Sequence, residues 1–160
     1  MKRLLRWILP SLLTMTLIGC GGPRESMFPP TISVQQLHVQ ANGQWHMQVR
    51  ILNNSFGPMD FRRLQLTMHI NNKPAAHIDT RFDLDIGALT ADITEVDVTP
   101  SAKAAAALAA IADEGSAGSL AYSLTGKATA IPEHSDSPRE FEVDSHDWLS
   151  AVPGVAQTYR

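Results

Sequence analysis

One cysteine stands in 160 residues. A single thiol excludes an intrachain disulfide, so packing must stabilise whatever fold the chain adopts. It also leaves a cysteine-based zinc site without its ligands. No apolar run is long enough to cross a bilayer, which takes about 20 residues as a helix. The longest, Trp7 to Ile18, has twelve, and Pro10 interrupts it. Excess basic charge is missing too. Lys2, Arg3 and Arg6 lie in the first nineteen residues, and the rest carries 10 basic residues against 16 acids, a balance of about −6. Such a chain is a poor ligand for nucleic acid or an anionic membrane surface. No internal repeat and no second domain are visible, and 141 residues beyond the first nineteen suffice for one core.

The beginning of the chain has a plan of its own. A basic end is followed by a short apolar core and then by Leu17-Ile18-Gly19-Cys20. A basic end, a short core and a small residue before a cut describe a secretory signal peptide. The last four residues resemble the bacterial lipobox, in which the cysteine is acylated and becomes the first residue of the mature protein. The resemblance implies cleavage after Gly19, and thioether-linked and amide-linked acyl chains on Cys20. One acyl chain binds a membrane only marginally, whereas several hold a protein there. In the sorting pattern of Gram-negative lipoproteins an aspartate after the cysteine retains the protein in the inner membrane. Gly21 therefore implies the outer membrane, with the domain facing the periplasm. The expected division is a signal over 1–19, Cys20 and a tether over 20–30, a domain over 31–147 and a loosely held tail over 148–160.

Much of the domain alternates with period two. Trp45, Met47, Val49 and Ile51 share one face, with His46, Gln48 and Arg50 on the other. Leu64, Leu66, Met68 and Ile70 repeat the pattern, as do Leu120, Tyr122 and Leu124, continuing through Gly126, Ala128 and Ala130. Each run predicts a strand with one buried and one wet face. Shorter strands are expected over 31–40, 75–79, 82–86, 93–98 and 140–144. In the first, the apolar phase slips between Val34 and Leu37, which predicts a bulge. Asn42-Gly43 predicts a tight hairpin, and Asn53-Asn54-Ser55 with Gly57-Pro58 a longer turn. Asn71 to Pro74 and Gly87 to Thr90 mark further breaks. The alanine-rich segment 101–113 predicts a helix, with Thr99 as cap, Pro100 in the first position and Gly115 as stop. Its stripe of Ala104, Leu108, Ile111 and Ala112 should cover part of a sheet. Many short antiparallel strands with one late helix give an all-β sandwich.

The order of these elements resembles the LEA14-like proteins, which carry the water-stress and hypersensitive-response (WHy) domain. The carrying residues are Trp45 to Leu52 with the asparagine turn after them, Phe61 to Ile70 with Ala75 to Ile78, Val96 to Pro100 leading into the helix, and Ser119 to Lys127. Family members usually show Asn-Pro-Asn where Asn53-Asn54-Ser55 stands, so the turn departs from the pattern. The resemblance implies a seven-stranded antiparallel sandwich of immunoglobulin-like or fibronectin-like shape with one short helix. It also implies no catalytic residues and a part in desiccation, cold or other stress.

Several residues invite a chemical reading. His38, His46 and His69 fall on outward faces, where two or three could meet around a metal; ordinary wet-face polarity is the plainer reading. Asp144-Ser145-His146-Asp147 brings together the residue types of a hydrolase triad. No Gly-x-Ser-x-Gly elbow accompanies it, and Gly115-Ser116-Ala117-Gly118 has the wrong register. Asp79, Asp83, Asp85, Asp92, Glu95 and Asp97 make an acidic neighbourhood without the spacing of a calcium loop. A solvated face, with Arg81 as a partner, suits them better. Trp45 is expected in the core and Trp148 as a C-terminal anchor. The expectation is a non-enzymatic lipoprotein with no cofactor and no metal, held to the membrane through Cys20. Its function is stress protection, with two alternatives: a module docking an envelope protein through a sheet edge or the Asn53–Asp60 region, and a carrier of an apolar ligand.

Overall fold

The computed structural model describes residues 27–113 and 118–160. Cys20, the lipobox residues Leu17, Ile18 and Gly19, and the helix stop at Gly115 lie outside the described residues.

Among the described residues, eight strands and one helix follow in the order β1 (Thr31–Val39), β2 (Trp45–Leu52), β3 (Met59–Ile70), β4 (Lys73–Ile86), β5 (Ala91–Val98), α1 (Ala102–Asp113), β6 (Ser119–Pro132), β7 (Arg139–Ser150) and β8 (Thr158–Tyr159). They form two antiparallel four-stranded sheets, ordered β5-β2-β1-β8 and β4-β3-β6-β7. The molecule is an all-β sandwich with one short helix. The alternating runs supply its centre: Trp45, Met47, Val49 and Ile51 from one sheet face Leu64, Leu66, Met68, Leu124 and Ala128 from the other, all buried. The pairing of β1 with β2 shifts between Val34 and Gln36, where the apolar phase slips. Tyr122 reaches from β6 to this irregularity, and its hydroxyl accepts a hydrogen bond of 2.8 Å from the Val34 N–H. The bulge thus leaves no orphan amide at Val34.

The elements differ from expectation in four respects. The weak strands at 75–79 and 82–86 are one continuous strand, β4. Asn71 and Asn72 both take positive φ, 51° and 59°, and close the β3–β4 turn within two residues. Pro74 is tolerated because β4 is an edge strand. Second, Ser101 rather than Thr99 caps α1: its Oγ accepts from the Ala104 N–H at 3.3 Å and its carbonyl from the Ala105 N–H at 3.0 Å. Ala104, Leu108 and Ile111 are buried against β4 and β6, while Ala112 is exposed.

Third, the tail is not loose. β7 runs on to Ser150, and Arg160 exchanges both backbone hydrogen bonds with it, at 2.6 and 2.9 Å. Thr158 and Tyr159 then pair with His38 and Leu37 as an eighth strand, and the Tyr159 ring is buried. Two residues are too few for a periodic signal, which is why the sequence conceals this strand. Fourth, the tether is shorter than 20–30. Phe28 and Pro29 are already fastened by hydrogen bonds to Ser55 and Asn54, and Pro30 is buried.

Candidate functional site

Histidine is the first test of a chemical site. His38 and His46 are cross-strand partners on β1 and β2. Their rings are engaged separately: His38 Nδ1 shares a hydrogen bond of 3.1 Å with Thr158 Oγ1, and His46 Nδ1 lies 2.9 Å from Asp97 Oδ1. His69 belongs to the opposite sheet. Among the described residues no three of His, Cys, Asp or Glu stand together as metal ligands.

The triad residues part company along β7. Neighbours on a strand point to opposite faces. Ser145 Oγ turns inward and donates to the Ile32 carbonyl at 2.7 Å, fastening β7 to β1. His146 points out to solvent, 3.2 Å from Asp144, with both side chains about three-quarters exposed. The serine and the histidine therefore do not meet.

The acids are divided between sheets, with Asp79, Asp83 and Asp85 on β4 and Asp92, Glu95 and Asp97 on β5. The cations that bond the first group are Arg62 and Arg63, while Arg81 acts on Asp79 through its charge alone. Arg63 grips Asp79 through Nε and Nη2, at 2.9 and 2.8 Å, and Arg62 bridges Asp60 and Asp83. The Arg63 guanidinium holds the Asp79 carboxyl below its ordinary range. Burial pushes the Asp60 carboxyl above it, against the pull of Arg62. Lys127 completes the pattern on β6 with Glu140 at 2.8 Å. Trp45 is in the core, whereas Trp148 is 62% exposed and anchors nothing.

Side chains do converge at the end of the sandwich where the described chain begins. Asn53, fully buried after β2, donates from Nδ2 toward the carbonyls of Gly57, Ile86 and Gly87 at 2.9, 3.0 and 3.2 Å. Its Oδ1 accepts from the Ser55 N–H at 2.9 Å. Asn54 Nδ2 donates to the Pro29 carbonyl at 2.8 Å and approaches Thr31 Oγ1 at 3.0 Å. Ser55 Oγ accepts from the Phe28 N–H at 2.9 Å, and its backbone carbonyl accepts from Leu89 N–H at 3.2 Å. Three consecutive polar residues thus bind the N-terminal segment, the β2–β3 loop and the β4–β5 turn into one tip. The Pro58 carbonyl adds the β6–β7 loop through the Glu133 N–H at 3.0 Å. On this scaffold stand three exposed apolar side chains, Phe28, Phe56 and Leu89. The Asn-Asn-Ser turn is legible in the sequence; its use as a clamp on three segments is not, because the partners are backbone groups far along the chain.

By sequence, the chain matches no protein-family model and no curated protein. Three solved structures resemble it. A protein from Archaeoglobus fulgidus shares 11% identity over 79% of this chain and 98% of its own, with a TM-score of 0.42. The Northeast Structural Genomics Consortium target SoR45 shares 9% over 79% and 89%, with a TM-score of 0.47. The solution structure of AT1g01470 from Arabidopsis thaliana shares 10% over 84% and 85%, with a TM-score of 0.46. The likeness is one of fold alone.

Surface grooves are shallow. One of about 390 Å³ runs along Ala151 to Tyr159, and another of about 410 Å³ lies between α1 and the β3–β4 turn. The space between the sheets is filled by Trp45, Phe61, Met47, Leu64 and Met68.

Proposed function

We propose that this is an envelope lipoprotein, held by acylated Cys20 on the periplasmic side of the outer membrane and displaying an LEA14-like sandwich. It works without catalysis, by protecting neighbouring proteins or membrane during water loss or cold. The observation that carries this reading is the state of the outer sheet faces. Several of their charges are paired with one another, as in Arg63 with Asp79, Arg62 with Asp60 and Asp83, and Lys127 with Glu140. A hydrated surface of this kind suits weak, dispersed contacts with many clients. The filled core speaks against the carrier alternative. Docking to one envelope protein is the second reading, and the exposed Phe56 of the Asn53–Asp60 loop favours it.

Protection is tested by freezing or drying a fragile enzyme with residues 21–160 or with an equal mass of an inert globular protein. The proposal expects clearly more enzyme activity to survive with the domain, and single surface substitutions to leave the effect intact. Survival no better than with the inert protein contradicts it.

A further inference from the structure

We infer that the tip formed by Phe28, Phe56 and Leu89 is a membrane-contacting surface, which seats the sandwich end-on against the phospholipid bilayer that anchors it. The inference rests on the anchor reading above.

Three observations lead to it. The first is the patch itself. Phe56 is 64%, Leu89 58% and Phe28 44% exposed. The two phenyl rings meet edge to face, with centroids 6.1 Å apart. All three residues are bolted to Ser55 or its neighbours, so the patch has a fixed shape. Exposed apolar side chains gathered on one rigid scaffold mark a contact site.

The second is the conformation of Leu89, whose φ is +56°. A bulky residue is disfavoured in the left-handed region, where glycine or asparagine costs less. Folding alone gives no reason for a leucine here, because its side chain packs into no core. A surface that needs an apolar group at this spot does give one.

The third is the length of chain before the tip. Six residues, and so seven Cα–Cα steps, separate Cys20 from Met27, which span at most about 25 Å when fully extended. Headgroups occupy about 6 Å of each leaflet. An acyl chain on Cys20 thus keeps this end, and not the helix end, close to the bilayer. A short connection of this kind raises the local concentration of the tip at the surface, so that weak insertion suffices. The lipid chemistry that fits is the apolar boundary below the headgroups, where Phe and Leu insert. Anionic headgroups are not required: the adjoining loop carries Glu133 and Asp136, which an anionic surface repels.

The test uses the unique thiol. Residues 20–160 are coupled through Cys20 to a maleimide lipid in phosphatidylcholine vesicles with brominated acyl chains. One version carries Phe56→Trp with Trp148→Phe; the other keeps Phe56 and the native Trp148, which lies toward the helix end of β7. Buried Trp45 gives both the same background. The emission of the Phe56→Trp version should shift to the blue and lose about half its intensity to bromine, and that of the version keeping Trp148 should be unaffected. Adding Phe28→Ser and Leu89→Ser should restore most of that intensity. An unquenched Phe56→Trp version in coupled protein overturns the inference, and so does equal quenching of both versions. A blue shift without bromine quenching also overturns it, and assigns the tip to a protein or a second copy. The anchor is read separately, by labelled palmitate on the full chain in a Gram-negative bacterium. A failure to label Cys20 refutes the anchor, whereas quenching in the coupled protein still supports a membrane-contacting tip.

Discussion

Asn53 has the most to lose from a single substitution at the tip. Asn53→Ala leaves buried carbonyls of Gly57 and Ile86 without their donor, and the Ser55 N–H without its acceptor. Unsatisfied buried groups cost about 1–3 kcal/mol each when no water reaches them, so a loss of about 3 kcal/mol is expected in urea denaturation. Gly126 makes a second sharp case. Its φ is +143°, and a Cβ there would stand 2.2 Å from the Gln65 carbonyl oxygen. Gly126→Ala forces β6 away from β3 and should cost about 3 kcal/mol through strain and overpacking. Tyr122 offers a spectroscopic check. Burial pushes its hydroxyl up to about 12. The stability tied to its protonated form is complete below pH 10 and is lost as the pH rises toward 12. An ultraviolet titration of folded protein should show this tyrosine ionising late, and Tyr122→Phe should remove that step. Asp79 and Asp60 should diverge in acid. With its folded value lowered, Asp79 contributes stability that is present above pH 3.8 and is lost below it, as the pH falls through the lowered folded value. With its value raised, Asp60 shifts stability in the opposite sense. Carboxyl NMR signals resolve the two directly.

At the scale of elements, period two was a faithful guide wherever a strand has one buried face. Trp45–Leu52 and Phe61–Ile70 were legible because each apolar residue in them meets the opposite sheet. The signal failed where the apolar run is interrupted or too short. β4 reads as two strands because Asp79, Thr80 and Arg81 interrupt its apolar run, although Ala76, Ile78, Phe82, Leu84 and Ile86 keep one phase. β8 escapes the pattern because two residues carry no period. Residue type alone favours Thr99 as the cap, whereas the register of the helix decides for Ser101. The three tip residues were invisible as a group, since the hydrogen bonds that assemble them join positions 25 to 34 apart in sequence. The C-terminal strand yields the clearest prediction here. Removing residues 155–160 uncovers Leu37 and takes Tyr159 out of the core. Burying a large side chain is worth about 1.5–3 kcal/mol, so the truncated chain should melt several degrees lower in a calorimeter. An unchanged melting temperature would mean that β8 is ornamental.

For the whole molecule, the two ends of the sandwich are unlike. One end holds α1 and the closing strand. The other gathers the N-terminal segment, two clamped loops and the apolar tip. Between them the sheet faces are covered with polar and ion-paired side chains. A chain delivered to the membrane by its N-terminus would turn the apolar end toward lipid and leave the hydrated faces to its surroundings. Delivery to the membrane depends on Cys20 as the first residue of the mature protein. The direct measurement is the intact mass of the protein recovered from bacterial membranes, alongside Cys20→Ser. The account predicts a chain beginning at Cys20 with acyl groups attached, and a variant that is unprocessed or released from the membrane. A native protein that keeps residues 1–19, or is cut elsewhere and bears no lipid, would contradict it.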